Sequence, residues 1–233
     1  MTVVALIPAR LDSTRLPRKQ LREIAGRPMI DYLAARMAAV PAVDEVAVAT
    51  TDRPIDDELA SWADRMDVGC YRGDLADVLG RLTAAADAFD ADVVVRANGD
   101  NPLLAPEVTA AGLGALKRAG DEYVTGKNMF TGIPVGLGPG IIETDTLVRL
   151  SEVATAPYHR EHVTTYVFEN PDEFDWSPIP VESGWIAREL SLTVDTAEQF
   201  EYAAETVDRL PGGQSGEWSV KDIIAAAEEV DGT

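Results

Sequence analysis

Short apolar runs alternate with longer helix-like segments through the first half of the sequence. The runs have the length of strands and lie at Val3 to Ile7, Val46 to Ala49 and Val93 to Val95. The helix-like segments between and after them occupy residues 30–40, 55–66, 75–89 and 106–118. A chain with this alternation forms a parallel sheet whose strands are joined by right-handed helical crossovers. The sequence therefore predicts an α/β fold with a Rossmann-like, mostly parallel sheet flanked by helices.

The pattern changes after about residue 125, where residues 126–140 are rich in glycine and proline. Helical patterning then recurs at 144–154, 159–169, 197–210 and 220–230. Apolar or aromatic stretches lie between these segments, at 174–179 and 190–194. Because a chain of 233 residues can bury one full core, we expect a single domain over residues 1–233. A small lid or dimerisation arm is expected at about 126–180.

The chain is strongly acidic, with 40 Asp and Glu against 20 Lys and Arg and a formal charge of −20. Acidic residues occur throughout the helix-like segments, including 56–58. This spread predicts a solvated acidic surface, typical of a high-salt cytoplasm, with an ordinary acidic protein as the alternative. Such a surface repels nucleic acid.

No apolar run approaches the roughly 18 to 20 residues of a membrane span, no secretory signal is found, and Cys70 is the one cysteine. We therefore expect a cytoplasmic protein without nucleic-acid or membrane partners.

A basic loop follows the first predicted strand. Residues 1–36 carry seven basic side chains against three acidic ones, although the whole chain is acidic. Ligands of α/β sheets bind at the carboxyl ends of the strands. Arginine forks, a serine hydroxyl and a compact lysine charge together suit phosphate oxygens. The sequence therefore predicts a polyphosphate site, with a solvated basic loop as the alternative, built from Arg10, Ser13, Arg15 and Lys19. Three other cations of this region, Arg22, Arg27 and Arg36, are assigned to ordinary helix or loop surface.

Two aspartates follow apolar stretches and are predicted to lie at strand tips. Asp100 ends the segment Asn98-Gly99-Asp100 after the third strand, and Asp195 follows Leu192 to Val194. Carboxylates at such positions can hold Mg²⁺ against phosphate oxygens. The alternatives are a surface turn for Asp100 and a helix N-cap for Asp195.

The run from Ile7 to Lys19 resembles the signature of the cytidylyltransferases that activate sugar acids, such as the 3-deoxy-manno-octulosonate and acylneuraminate enzymes. Within that superfamily the chain is most similar to the SpsF group of spore coat polysaccharide biosynthesis. Four later segments resemble further motifs of the family, in the family's order across residues 3–200. They are Arg72-Gly73-Asp74 with Asp77-Val78-Leu79, Asn98-Gly99-Asp100, Arg160 to Thr164, and Leu192 to Thr196.

The resemblance implies a nucleotide-diphospho-sugar transferase type of fold and assigns roles to individual residues. Nucleotide binding would fall to Ala9, Arg10, Ser13, Arg15 and Lys19, with Arg72 and Asn98 beside the base and ribose. Mg²⁺ would be the cofactor, ligated by Asp100 and Asp195. The catalytic residues would be Arg15, Lys19 and Asp100. The family is often dimeric, which predicts a homodimer with an interface within 126–180.

The implied activity is transfer of CMP from CTP to a small acidic sugar, with release of pyrophosphate, for surface polysaccharide or glycan biosynthesis. The acceptor would be a 2-keto acid, nonulosonate-like or octulosonate-like. Ser191 and Gly138-Pro139-Gly140 depart from the family pattern on the presumed acceptor side, so the identity of the sugar is open. Acceptor contacts are predicted from Arg160, Glu161 and His162, because Arg160 could pair with a carboxylate; structural hydrogen bonding is the alternative.

Three other functions stay open from the sequence. A nucleotidylyltransferase acting on a sugar 1-phosphate or a phosphonate would share the same site. A glycosyltransferase of the GT-A type would need an Asp-x-Asp at a strand tip, whereas Asp90-Ala91-Asp92 precedes a strand. A nucleotide sensor would bind CTP without releasing pyrophosphate. His159 and His162 could bind a metal at their i, i+3 spacing, but no cysteine or third histidine lies nearby in the sequence to favour zinc.

Overall fold

The computed structural model describes residues 1–212 and 217–232, in which helices and strands alternate as the sequence predicts. The strands are β1 (Val3–Pro8), β2 (Glu23–Ile24), β3 (Arg27–Pro28), β4 (Glu45–Thr51), β5 (Gly69–Gly73), β6 (Val93–Arg96), β7 (Tyr123–Thr125), β8 (Gly140–Glu143) and β9 (Trp176–Pro178). The helices are α1 (Met29–Ala38), α2 (Asp57–Met66), α3 (Val78–Ala88), α4 (Pro106–Ala119), α5 (Asn128–Thr131), α6 (Thr144–Val153), α7 (Pro157–His162), α8 (Thr165–Glu169), α9 (Ala197–Arg209) and α10 (Val220–Asp231).

The main sheet has seven strands in the order β5-β4-β1-β6-β8-β7-β9. Strand β8 is antiparallel to both β6 and β7, and the other neighbouring pairs are parallel. The predicted α/β class with a mostly parallel sheet is confirmed. Strands β8 and β9 belong to the segment predicted as a lid or arm, and both are part of this main sheet. Strands β2 and β3 form a separate antiparallel pair.

Both faces of the sheet are covered because side chains along each strand point alternately to opposite faces. In β1, Val3, Ala5 and Ile7 enter the core beneath α1, α2, α4, α9 and α10, whereas Val4 and Leu6 enter the core beneath α3, α6 and α8. Continuous apolar strands of this kind identify a sheet that is buried on both sides. No helix within 1–212 or 217–232 is long and apolar enough to cross a bilayer.

The structure corrects three predicted segments. The helix expected at 159–169 is two helices, because the backbone of Val163 has a φ of 50° between α7 and α8. The helix expected from residue 75 begins at Val78, after Asp77 accepts a hydrogen bond from the Gly80 N–H as its N-cap. The stretch 190–194 is not a strand of the sheet; it makes an isolated bridge between Ser191 and Val135.

Arg36 was predicted to lie on the surface and is instead 1% exposed. Its Nε donates to the Leu104 carbonyl at 2.8 Å and its Nη2 to the Trp218 carbonyl at 3.3 Å. Burial lowers the pKa of Arg36 to about 10, an effect that Glu107 opposes. The prediction failed because these acceptors come from segments 68 and 182 residues away in the sequence.

Candidate active site

A cleft of about 720 Å³ opens at the carboxyl ends of β1 and β6, where ligands of α/β sheets bind. Its walls come from the loop after β1, the end of β6, the start of α3, helix α7 and the segment before α9. The predicted site residues that line this cleft are Ala9, Arg10, Ser13, Arg15, Lys19, Asn98, Asp100, Glu161, His162 and Asp195. The structure thus brings together ten side chains that the sequence places in four separate motifs.

The basic loop is held in place by Asp56. This carboxylate is 0% exposed and accepts hydrogen bonds from the Leu11 N–H at 2.7 Å and from the Thr51 hydroxyl. Arg53 pairs with Asp56 at 3.2 Å and with Asp12 at 2.6 Å. The hydrogen bond from Arg53 keeps the pKa of Asp12 below its ordinary value. The prediction that residues 56–58 form a solvated acidic surface is therefore wrong for Asp56, since that carboxylate satisfies backbone and side-chain donors of the loop.

Lys19 brings the two predicted metal-binding carboxylates to one point. Lys19 is the first residue of a 3₁₀ turn and is 6% exposed. Its Nζ donates hydrogen bonds to Asp195 Oδ1 and to the Val194 carbonyl, both at 2.8 Å. The same Nζ lies 3.5 Å from Asp100 Oδ2. Asp100 and Asp195 are 95 residues apart in the sequence, yet they face a single amine in the fold.

Asp195 is ionised at neutral pH despite its partial burial. Burial raises the pKa of this carboxyl, but the Lys19 ammonium and Arg15, whose Nη2 lies 3.0 Å from Oδ2, together bring it below the ordinary value. The Val194 N–H donates to the Asp100 carbonyl at 2.8 Å, which joins the two segments directly. The alternative N-cap role belongs to Thr196, whose side chain accepts from the Gln199 N–H in a capping box. Asp195 is therefore available to the cleft.

The donor set formed by Asp100 and Asp195 fits Mg²⁺. This ion takes one or two protein carboxylates together with phosphate oxygens and water. Among the described residues no cluster of three or more His, Cys, Asp or Glu could hold a metal. A cation held by these two carboxylates would therefore take its remaining ligands from the bound nucleotide.

Two arginines that were predicted in the site are committed elsewhere. Arg72 donates to the carbonyls of Thr51 and Arg53 at 2.9 and 3.0 Å and pairs with Asp57 at 2.7 Å, so it supports the turn between β4 and α2. Neither Arg72 nor Arg160 lines the cleft as the structure describes it. Their assignment beside the base and at the acceptor stays a prediction.

Arg160 instead fastens α7 to α3. Its Nη2 pairs with Asp77 and its Nη1 donates to the Ser151 carbonyl at 2.7 Å. Burial raises the pKa of Asp77, but the Arg160 guanidinium and the Gly80 N–H outweigh that effect and lower it. The pair therefore holds Glu161 and His162, its neighbours in sequence, against the cleft.

We expect Asp77→Asn to reduce the free energy of unfolding by about 1–2 kcal/mol at pH 7, because it removes a charge-assisted hydrogen bond while keeping a good N-cap. A carboxyl with a lowered native pKa stabilises the fold above its ordinary pKa of about 3.9 and loses that effect as pH falls through the native value. The difference between wild type and variant should accordingly shrink from pH 7 to pH 3.5 in urea unfolding. Asp87→Asn, on the exposed face of the same helix, is the matched control; an unchanged difference at pH 3.5 would contradict the assignment.

Sequence reasoning missed two arginines that line the cleft, Arg81 and Arg96. Arg81 is 4% exposed and donates from Nε to the Ala49 carbonyl at 3.1 Å. Its position on the otherwise apolar buried face of α3 was a usable signal. Arg96 ends β6 directly after three buried valines, so a charged residue at the carboxyl end of a central strand was visible in the sequence.

The sequence is similar to a known protein family and to individual proteins of other organisms. Residues 4–211 match the family model described as Cytidylyltransferase. The chain is 32% identical over 207 residues to the uncharacterized protein MJ1063 of Methanocaldococcus jannaschii, covering 88% of this chain and 83% of that protein. It is 28% identical over 204 residues to the spore coat polysaccharide biosynthesis protein SpsF of Bacillus subtilis, covering 85% and 83%.

A shorter match and a solved structure extend the comparison. The 3-deoxy-manno-octulosonate cytidylyltransferase of Maricaulis maris is 43% identical over 113 residues, which cover 46% of this chain and 42% of that enzyme. A cytidylyltransferase structure from Leptospira borgpetersenii superposes with a TM-score of 0.91 at 28% identity, covering 100% of this chain and 96% of that one. The motif-based resemblance is confirmed, and the chain belongs to the cytidylyltransferase family, whose members are nucleotidyltransferases.

Proposed function

We propose that this protein transfers CMP from CTP to a hydroxyl of an acidic 2-keto sugar, nonulosonate-like or octulosonate-like, and releases pyrophosphate. The observation that carries the proposal is the meeting of Asp100 and Asp195 at Lys19, beside a cleft lined by several arginines. A nucleotidyl transfer needs this combination of anionic metal ligands and cationic phosphate ligands in one place. Surface polysaccharide or glycan biosynthesis is the proposed use of the product.

The cleft suits a nucleoside triphosphate in size and charge. Its volume of about 720 Å³ lies within the roughly 300–1,000 Å³ of small-molecule sites. The side chains of Arg10 and Arg15 are 46% and 65% exposed, so they can reach a ligand that enters from solvent. In a chain of formal charge −20, these cations supply the local positive field that an anionic substrate needs.

Close approach of the backbone completes the phosphate side of the cleft. A Cβ on Gly99 would lie 2.8 Å from the Pro8 carbonyl and 3.1 Å from the Ala9 Cβ. The backbone after β6 can therefore pack this closely against the end of β1 because residue 99 is glycine. This contact places Asp100 next to the start of the basic loop.

In the proposed reaction the acceptor hydroxyl oxygen attacks the α-phosphorus in line. A new bond forms between that oxygen and phosphorus, the bond from phosphorus to the bridging oxygen breaks, pyrophosphate leaves, and the hydroxyl proton passes to water. Arg15 and Lys19 would stabilise the negative charge on the departing pyrophosphate. Asp100 and Asp195 would hold Mg²⁺, which neutralises phosphate charge and favours ionisation of the hydroxyl. No covalent enzyme intermediate is needed.

The structure does not favour the glycosyltransferase alternative, because its Asp-x-Asp segment lies away from the cleft. Asp92 lies at the amino end of β6, where its Oδ2 accepts a hydrogen bond from the Thr2 N–H at 2.6 Å and lies 3.5 Å from the N-terminal amine. The cleft is at the opposite ends of these strands. The Asp90-Ala91-Asp92 segment is therefore remote from bound nucleotide.

A substrate panel tests the proposal directly. We expect CTP with at least one 2-keto sugar acid to release pyrophosphate in the presence of Mg²⁺, when four nucleoside triphosphates are crossed with sugar acids, sugar 1-phosphates and phosphonates. Reactions without acceptor control for hydrolysis, and reactions with a chelator control for metal. Silence of CTP with every acid while another pair reacts would overturn the proposed acceptor. Binding of CTP without pyrophosphate release from any pair would favour a sensor.

A further inference from the structure

Arg96 occupies the floor of the cleft at the end of β6. It pairs in register with Leu6 of β1 on one side and with Gly140 of β8 on the other. By strand alternation its side chain leaves the sheet on the same face as Val94, the face that α3 and α6 cover and against which α7 packs. Arg96 therefore lines the cleft beside Glu161 and His162 of α7.

The guanidinium of Arg96 has no partner among the residues that the structure describes. It makes no ion pair within 4 Å and no hydrogen bond, and its Nε is enclosed without an acceptor. The other cations of the cleft differ in this respect. Arg15 and Lys19 contact Asp195, Arg10 lies 3.5 Å from Asp12, and Arg81 donates to backbone carbonyls. Arg96 is the cleft cation that the folded chain leaves unsatisfied.

The surroundings of Arg96 also disfavour its positive charge. Burial lowers the pKa of Arg96, and the groups that oppose the effect are Tyr123 and Asp100. Burial and the charge of Arg96 together lower the pKa of Lys127, so a second cation feels the same potential. A half-buried charge without a counterion becomes more favourable when an anion binds beside it. Such an arrangement is typical of a binding site for an anionic group.

Position decides which anion fits. The basic loop, whose cations are proposed to hold the triphosphate, follows β1. Arg96 ends β6, and its charge acts on Tyr123 and Lys127, which lie at or just after β7, on the other side of β6 from β1. Arg160, the arginine that the sequence assigned to the acceptor, is paired with Asp77. We propose that Arg96 binds the carboxylate of the acceptor, an inference that rests on the proposed function. A planar guanidinium and a carboxylate match as a bidentate pair.

This contact would also orient the nucleophile. In a 2-keto sugar acid the carboxylate is attached to the same carbon as the anomeric hydroxyl. Fixing the carboxylate on Arg96 therefore restricts the position of the reacting oxygen, which is three bonds from the carboxylate oxygens that Arg96 would hold. The Asp100 carboxylate acts electrostatically on Arg96, so a hydroxyl held beside Arg96 would lie near the carboxylate proposed to bind the metal at the α-phosphate. Arg96 is thus assigned a role in both acceptor specificity and alignment.

The test compares Arg96→Met and Arg96→Lys with Arg118→Gln, an exposed arginine near the end of α4. Pyrophosphate release is measured with CTP and the acid that wild type uses best, and CTP binding is measured by calorimetry without acceptor. For Arg96→Met we expect the acceptor KM to rise by roughly 30- to 5,000-fold, the range for removing one partner of a hydrogen-bonded charge pair. The CTP Kd should stay within about threefold, and Arg96→Lys should recover part of the loss. Arg118→Gln should match wild type in both measurements.

A second measurement separates this inference from the proposed function. Binding of the same acid is titrated by calorimetry in the presence of α,β-methylene-CTP and Mg²⁺, so turnover is not needed. Loss of acid binding in Arg96→Met with retained analogue binding supports the inference. An increased CTP Kd with an unchanged acceptor KM would place Arg96 on the triphosphate and overturn it, while leaving the function intact. A wild-type protein that binds the analogue but no sugar acid would overturn both.

Discussion

Replacing Asp100 with asparagine is expected to lower kcat for pyrophosphate release roughly 1,000-fold or more. The change keeps the size of the side chain but removes one of two carboxylates proposed to hold Mg²⁺, and charge neutralisation by such an ion supplies several kcal/mol of transition-state stabilisation. The Asp100 side chain is 31% exposed and its ion-pair contact is Lys19 at 3.5 Å, so the fold does not depend on its charge. Rates, the Mg²⁺ requirement and thermal unfolding should be measured together.

The companion variants make this result interpretable. Asp195→Asn should show a similar loss of kcat, although it also removes the 2.8 Å contact with Lys19 and the 3.0 Å contact with Arg15. Asp145→Asn, in the exposed first turn of α6, is the matched control and should retain the wild-type rate. A normal rate in Asp100→Asn would rule out the two-carboxylate assignment. Lost turnover with an unchanged melting temperature would support it.

Replacing Asp56 with alanine is expected to cost about 3–5 kcal/mol of unfolding free energy, as for breaking a buried ion pair. The change leaves the Leu11 N–H and the Thr51 hydroxyl without their acceptor and deprives Arg53 of one carboxylate. Since domains are stable by only about 5–15 kcal/mol, this is a large fraction of the total. The loop that carries Arg10 and Arg15 should also lose its fixed position, and the KM for CTP should rise.

Asp57→Ala is the matched control for this variant. It removes the neighbouring aspartate, whose side chain is 62% exposed and pairs with Arg72 on the surface. Exposed pairs contribute about 0–1 kcal/mol, so urea unfolding should hardly change. Equal losses of stability in the two variants would mean that burial of Asp56 does not matter.

Local pattern was enough to predict the sheet and the meeting of the basic loop with Asp100 at the cleft. Buried strands consist of continuous apolar runs, and the residues after them necessarily lie at the edge where ligands bind. Asp100 follows β6 by four residues, so its position depended on short-range geometry alone. Asp195 was placed correctly in the cleft although the segment before it is an isolated bridge and not a strand.

The fate of individual arginines could not be predicted in this way. A guanidinium has five donors, and whether they meet carbonyls, carboxylates or an open cleft depends on distant parts of the chain. Arg160 meets Asp77 across 83 residues and Arg72 meets Thr51 across 21, whereas Arg96 meets neither a carboxylate nor a carbonyl among the described residues. The sequence around each arginine did not show which of the three would lack a partner among the described residues.

The helix break at Val163 shows a different limit. Residues 159–169 have helical patterning, and a β-branched residue at a φ of 50° is unfavourable by itself. The side chain of Val163 is 1% exposed in the core beneath α3 and α6, so tertiary packing compensates for the local strain. Helix propensity is a property of one segment at a time, and it does not include the packing of Val163 against other parts of the chain.

The contacts of Lys19 with residues far along the chain affect the order in which the cleft forms during synthesis. Its partners Val194 and Asp195 lie 175 and 176 residues further along the chain, whereas every described strand of the main sheet ends by Pro178. At about 5–20 residues per second, the ribosome exposes the whole sheet before these partners emerge. A nascent or truncated chain can therefore form its strands while this lysine still lacks both acceptors. The contacts that position Lys19 in the cleft therefore form only after residue 195 has emerged.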